Sequence, residues 1–200
     1  MYAVYTIDSF NEYEPARQRI IIKRIDTALL QAAIFYATNQ QRRLHKLPEF
    51  KHSQALEKAA NTHSRDMVRL DFFSHQSPLR ARRTLKERLR QVGITNAGMA
   101  ENIAITSVLD RDPKRPLYTP EQNGGYFSYA WRGEPLRNHT YLSLAEALVQ
   151  QWMNSKGHRR NILNPSYVYL GCGAAHFKDA TFHNIDNIKA TQNFSTRDKE

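Results

Sequence analysis

Three residues stand where elements of the chain meet: His75 in FFSHQSP, Glu101 in AENIA and His158 in SKGHRRN. Binding and catalytic groups concentrate at such junctions. His75 follows two phenylalanines that would anchor its loop beside the core. His158 follows a glycine at a helix junction, and Glu101 is an acidic residue in the otherwise small, apolar or amide-bearing run MAENIAITS. Two imidazoles and a carboxylate can hold a divalent transition metal, zinc above all, with coordination positions left open. The same trio could serve as an acid/base set, with Glu101 the candidate catalytic group. Their spacing matches no short metal motif, so spacing leaves open a third reading of three unrelated hydrogen-bonded residues. Other chemistries have less support. No serine lies in GxSxG, no glycine-rich phosphate loop exists, and Cys172 in YLGCGAA has no evident partner and is read as a small buried residue.

Several elements must position these groups. Apolar residues recur at helical spacing from Ala16 to Lys46, a stretch long enough for two helices, with Pro48 marking its end. Residues 1–14 are expected to form an irregular arm. Ser53 can cap a helix reaching about Leu70, whose stripe of Leu56, Ala59, Ala60, His63 and Met67 turns His63 to the core as a packed, hydrogen-bonded residue. The Arg-rich segment, roughly Thr84 to Val92, puts Leu85 and Leu89 on one face and most basic residues elsewhere, with Gly93 as a left-handed stop. AENIA follows as a short turn or strand. Residues 106–142 are the least regular part, with YFSYAWRG as a short strand after an Asn-Gly turn. SLAE, Ser143 to Glu146, has the form of a capping box opening a helix with Leu144, Leu148 and Trp152 on one side and Gly157 at its end. HRRNILNP gives a short helical turn. YVYLGCGAAHF and IKATQNFS make a terminal antiparallel pair, in which Gly171 and Gly173 predict close backbone approach or a bulge. The order predicts an α+β chain with helices packed on a small antiparallel sheet.

Length and composition bound the function. The chain has 200 residues, suited to one domain or one domain with an extension, and 40% of them are hydrophobic, enough for a packed core. No apolar run reaches the roughly 20 residues of a membrane span. The start, MYAVYTIDSFNEYEP, lacks the basic end and apolar stretch of a signal peptide, so the protein is either cytoplasmic or begins here after a removed leader. One cysteine leaves no internal disulfide. Twenty-nine Lys and Arg against 19 Asp and Glu give a formal charge of +10, which points to acidic partners such as anionic lipid or an anionic polymer. Nucleic acid ranks below these, because no zinc-finger, P-loop or aromatic-interleaved signature accompanies the charge.

The segments NQQRRLHKLPEFKHSQALEKAANTHSRDM, FFSHQSP, AENIA, VQQWMNSKGHRRNILNPSYVYLGCGAA and ATQNF follow one another in the order of the CAP superfamily. That group comprises the cysteine-rich secretory, antigen 5 and pathogenesis-related proteins. The wording resembles its bacterial branch, the SCP-like extracellular domains, over about residues 27–195. The resemblance implies a three-layer α-β-α sandwich with a small, mainly antiparallel central sheet. It divides the chain into an N-terminal extension, 1–26, and a domain, 27–200, carrying a long insertion at about 106–142. It further implies a cleft in which His75, Glu101 and His158 stand at family positions and the two histidines hold zinc or another divalent ion. Eukaryotic members carry a second cleft glutamate three residues after the helix tryptophan; this chain has Ser155 there, one anionic ligand fewer, so the ion is expected to bind weakly. Asn102 is expected to bridge backbone groups at its turn.

Three functions follow as expectations. The first is a secreted or envelope-associated module binding a ligand such as anionic lipid, sterol or cell-wall polymer through the cleft. The second is a metal-dependent hydrolase, a protease or nuclease, with Glu101 taking the proton of a bound water. The third is lipid or sterol binding, with Tyr126, Phe127, Tyr129 and Trp131 of the insertion as contacts.

Overall fold

The computed structural model describes residues 1–199. Among the described residues, seven α-helices and four strands follow in the order α1 (Ile7–Asn11), α2 (Glu14–Arg17), α3 (Thr27–Leu44), β1 (Lys51–His52), α4 (Gln54–Arg69), α5 (Leu85–Arg90), β2 (Met99–Ser107), α6 (Tyr141–Asn154), α7 (Lys156–Ile162), β3 (Tyr169–Asp179) and β4 (Ile185–Ser195). The sheet order is β1-β3-β4-β2. β3 and β2 both run antiparallel to β4, and only the two-residue β1 is parallel, to β3. The two terminal strands of the chain are thus the middle of the sheet. Helices α4 and α5 cover one face; α3, α6 and α7 cover the other, giving the three-layer α-β-α sandwich.

The strands alternate as a pleated sheet buried on both faces must. Toward α4, β3 presents Gly171 and Gly173. A Cβ on the first would overlap the backbone of Leu56 and Glu57, and on the second that of Ala60 and Asn61. The helix backbone therefore lies directly on the strand, and register runs unbroken through both glycines, so close approach and not a bulge explains them. Ser53 caps α4 by accepting the Leu56 N–H at 3.1 Å, and the stripe from Leu56 to Met67 is buried. Toward α3, β3 and β4 contribute Leu170, Cys172, Ile188, Ala190 and Phe194 to the main core, whose largest side chain is Trp152 of α6.

Five local expectations need correction. The N-terminal arm is helical in two short pieces, and Ile7, Phe10, Ala16 and Ile20 are buried in the same core as α3. The helical periodicity from Ala16 breaks between Gln18 and Asp26. There Ile20 donates its N–H to His139 O at 2.9 Å, and the chain enters α3 only after Asp26 caps Leu29. The box that starts α6 is Thr140 with Ser143, each side chain holding the other's backbone N–H at 3.0 Å. The helix starts earlier than SLAE implied because Tyr141 extends the buried stripe and its hydroxyl accepts the Asp26 N–H at 2.8 Å. Gly157 lies inside α7; the break is at Ser155, whose extended backbone separates α6 from α7. YFSYAWRG is no strand. One bridge, Tyr118 to Ser128, is all the pairing it has, and buried Asn123 organises the loop by donating to Ser128 Oγ at 2.7 Å and accepting from Arg132 N–H at 2.5 Å.

Candidate functional site

Glu101 is the third residue of β2, and its side chain enters the α4–α5 layer. Burial alone would push its carboxyl pKa up; the hydrogen bond from His75 and the nearby charge of Arg88 reverse this and hold it below the usual value. Both oxygens are engaged. Oε1 lies 2.9 Å from His75 Nδ1. Oε2 accepts from Arg88 Nη2 at 2.6 Å. With its amide turned so that its oxygen accepts from Ala60 N–H, Asn193 also donates to Oε2 at 3.1 Å. A carboxylate accepts only, so His75 must donate from Nδ1, and in the neutral ring Nε2 is then the acceptor nitrogen.

The His75 loop is tied down on both sides. His63 Nε2 donates to Ser74 O at 3.0 Å. Arg88 donates from both terminal nitrogens to His75 O at 3.2 Å and also reaches Arg82 O and Arg83 O. Behind the loop, Lys189 of β4 donates to Met67 O and Phe72 O at 2.9 and 3.1 Å. His63 comes within 3.8 Å of Glu101, but burial holds its pKa below the ordinary value, so it stays neutral and serves as the strut of the loop. Its Nδ1 is shielded and has no hydrogen-bond partner among the described residues.

His158 is carried by α7, which Asn102 fastens to the sheet. The Asn102 amide donates to His158 O at 3.2 Å and to Gln192 at 3.0 Å, and accepts from Asn161 at 2.8 Å. Asn102 is structural, then, but it joins β2 to α7 and does not bridge its own turn. Burial lowers the His158 pKa, and the neighbouring charge of His75 lowers it further. Neither ring nitrogen of His158 is hydrogen-bonded among the described residues. Ser155 stands at the α6–α7 joint, half-buried, donating its N–H to Trp152 O at 3.1 Å.

His75, Gln76, Thr84, Leu85 and Glu101 line a small open depression. Among the described residues, no three of His, Cys, Asp and Glu converge as a ligand set for a metal ion. The Glu101 carboxylate is instead paired with Arg88, Nη2 to Oε2 at 2.6 Å. Arg88 is also the site residue that sequence reading missed. It lies between Leu85 and Leu89 in a helix expected to turn its basic residues outward, yet only 1% of its side chain is exposed. Its step of three from Leu85 and adjacency to Leu89 put it on the edge of the buried stripe, and that was the available signal.

Among solved structures, an extracellular protein containing an SCP domain from Bacillus anthracis is 28% identical with a TM-score of 0.56, over 86% of this chain and 42% of that one. An outer surface protein of Borrelia burgdorferi (15% identical, TM-score 0.51, 86% of this chain and 96% of that one) shares the fold. So does a cysteine-rich secretory protein of Staphylococcus aureus (17%, TM-score 0.50, 86% and 40%). Two uncharacterized Bacillus subtilis (strain 168) proteins are also similar. YkwD is 29% identical over 68% of this chain and 38% of its own length, and the membrane protein YlbC is 27% identical over 88% and 36%. The chain thus spans little more than a third of these curated relatives. The profile of the cysteine-rich secretory protein (CAP) family matches residues 35–194, four fifths of the sequence, and the chain belongs to that family.

Proposed function

We infer that the protein is a binding module whose cleft takes a divalent cation, zinc by donor type, on His75 and His158, and through this cleft an acidic ligand. The observation that carries the reading is the bond from His75 Nδ1 to Glu101. A carboxylate behind a histidine fixes its tautomer and ring plane and frees the other nitrogen for a metal, the usual arrangement behind metal-ligating imidazoles. The donor set fits the ion only in part: two neutral nitrogens against the four protein ligands of a closed structural site. The ion would therefore be weakly held and removable without unfolding. When bound it would supply a Lewis-acid centre open to an anionic group. Glu101, ionised and spent on Arg88, Asn193 and His75, is poorly placed to accept a proton from water, which favours binding over hydrolysis. The likeness to an extracellular SCP-domain protein supports an extracellular or envelope setting. The charge of +10 supports an anionic ligand, lipid or cell-wall polymer.

Calorimetric titration with zinc tests this. Wild type should bind weakly at pH 7.5 and lose most affinity at pH 5.5, because protons compete for the ring nitrogens. His75→Ala and His158→Ala should each abolish binding. Equal affinity in all three proteins would overturn the reading. A lipid-contacting role for the insertion has one observation in its favour: Trp131 is 61% exposed, with the Arg132 guanidinium 4.5 Å from its ring. Phe127 and Tyr129 instead pack, on Phe182 and under Arg115. Anionic vesicles should shift Trp131 fluorescence if the role is real, and an unchanged spectrum would remove it.

A further inference from the structure

β2 is a terminal strand of the sheet. Its bonds to β4 involve even-numbered residues: Val108 N–H donates to Asp186 O at 2.8 Å, and at the other end Thr196 N–H donates to Gly98 O at 3.0 Å. Alternation in an antiparallel ladder then turns the N–H and C=O of odd-numbered β2 residues away from β4. Met99 obeys this phase, since its outward carbonyl accepts from the Tyr167 hydroxyl at 3.3 Å. Beyond the strand, Leu109 is bridged to Asn138 of the insertion, which covers the edge there. Between these covers, the outward main-chain groups of Ile105 and Ser107 have no hydrogen-bond partner among the described residues. An unpaired edge of this kind is a template for another strand.

This bare edge lines a groove. Gln151 of α6 and Arg111 of the insertion line it with the strand. Arg111 is half-buried, and its Nε is shielded from solvent with no partner among the described residues. Its neighbour Asp110 faces His139, at 3.7 Å, and the guanidinium rests 5.6 Å from the Phe182 ring. The groove therefore offers two main-chain donor–acceptor pairs, about 6.8 Å apart along the strand, beside one uncompensated cation.

We propose that this groove binds an extended acidic peptide by strand addition, with main-chain hydrogen bonds to Ile105 and Ser107 and a carboxylate on Arg111. The repeat of the bare pairs is that of a peptide backbone, and the charge selects glutamate or aspartate on the peptide. The site is separate from the histidine cleft, so the test is run in chelator, where zinc binding plays no part.

The probe is an end-blocked hexapeptide alternating valine and threonine with one central glutamate, titrated into 15N-labelled protein. The amide signals of Ile105 and Ser107 should move along a saturable curve. Binding should weaken at least fivefold when lysine replaces the glutamate of the peptide, and equally in Arg111→Ala. Ile105→Pro removes an N–H that makes no bond within the sheet, so it should keep the fold and weaken the peptide at least fivefold. Unmoved Ile105 and Ser107 amides would overturn the proposal, as would equal affinity for both peptides. Movement of the same amides by chitopentaose and not by the acidic peptide would also overturn it, making the groove a glycan site.

Discussion

Toward α4, strand β4 turns Lys189, Thr191 and Asn193; toward α3, it turns Ile188, Ala190, Gln192 and Phe194. Both rows are buried. The α3 row packs into the apolar core, and its one amide, Gln192, is satisfied by Thr38 and Asn102. The α4 row works through hydrogen bonds and charge. Lys189 holds the end of α4, Thr191 meets Ser64 at 2.8 Å, and Asn193 reaches Glu101. Arg88 and Asp66 extend this polar layer, the latter gripping Arg82 at 2.6 Å. The apolar face supplies burial, which is non-directional. The polar face supplies direction, and what it directs is the loop carrying His75. The loop that carries His75 sits on the face where the bonds have angles.

The two faces should differ most at Arg88. Arg88→Met leaves Glu101 buried with its main countercharge gone, and removing one partner of a buried pair costs about 3–5 kcal/mol. Adding Glu101→Gln should recover much of that loss, because no charge is then stranded. Urea unfolding of the two single variants and the double gives the coupling. Additive losses would mean that the pair is not a unit. On the opposite face Trp152→Ala should cost a similar amount, about 3–5 kcal/mol, through cavity formation, with no partner substitution able to rescue it. That contrast separates charge from packing.

Lys189→Met keeps most of the apolar stem but removes the ammonium, which lies 4.8 Å from the centre of the Phe177 ring, and leaves two carbonyls, Met67 O and Phe72 O, without their donor. A loss of about 1–3 kcal/mol is expected. Zinc affinity should fall with it, because the His75 loop loses its rear support. Unchanged stability would show that water replaces the ammonium.

Acid should act first through His63 and His158. Burial lowers the folded pKa of His63, and burial with the His75 charge lowers that of His158. As pH falls below the ordinary histidine value of about 6.5, the unfolded chain takes up protons that the folded one refuses, so stability declines from there toward the lowered folded values. Glu101 adds its own loss further down. Its lowered pKa contributes stability above the ordinary carboxyl value, and that is lost as pH falls through the folded one. Urea midpoints at pH 7.5, 6.5 and 5.5 should decrease in that order. A flat profile to pH 5.5 would mean that His63 is protonated in place.

How much of this could be read in advance divides along the same line. The stripe of α4, the strand pair, the close approach at Gly171 and Gly173 and the buried Cys172 are apolar or steric matters, and periodicity expresses them. The order of motifs expressed the family and hence the sandwich. The roles of Arg88, Asn193 and Lys189 could not be read, because a buried charge looks like a surface charge in sequence until its partner, a hundred residues away in the case of Lys189, is known. The N-terminal helices were missed because each is five residues or fewer, too short for a period. Sequence offered Glu101 as a cleft carboxylate and candidate catalytic group, but could not show that its two oxygens are bonded to His75 and Arg88.

The smallest expected effect concerns the start of α6, where SLAE and the true cap make different forecasts. If Ser143 were the cap and Glu146 its partner, Ser143→Ala and Glu146→Ala would both cost stability and Thr140→Ala would not. In the structure Thr140 accepts the Ser143 N–H and Ser143 Oγ returns the bond to Thr140 N–H, each at 3.0 Å, while Glu146 is exposed. Thr140→Ala should therefore cost about 1 kcal/mol, the usual value of an N-cap. Ser143→Ala should cost somewhat less, because the cap's own bond survives. Glu146→Ala should lie within about 0.5 kcal/mol of wild type. Ser143 also receives His139 Nδ1 at 2.9 Å, so its variant should release the His139 ring, visible as a change in that imidazole's NMR titration. A loss of stability in Glu146→Ala as large as in Thr140→Ala would put the helix start back at Ser143 and detach the buried Tyr141 from α6.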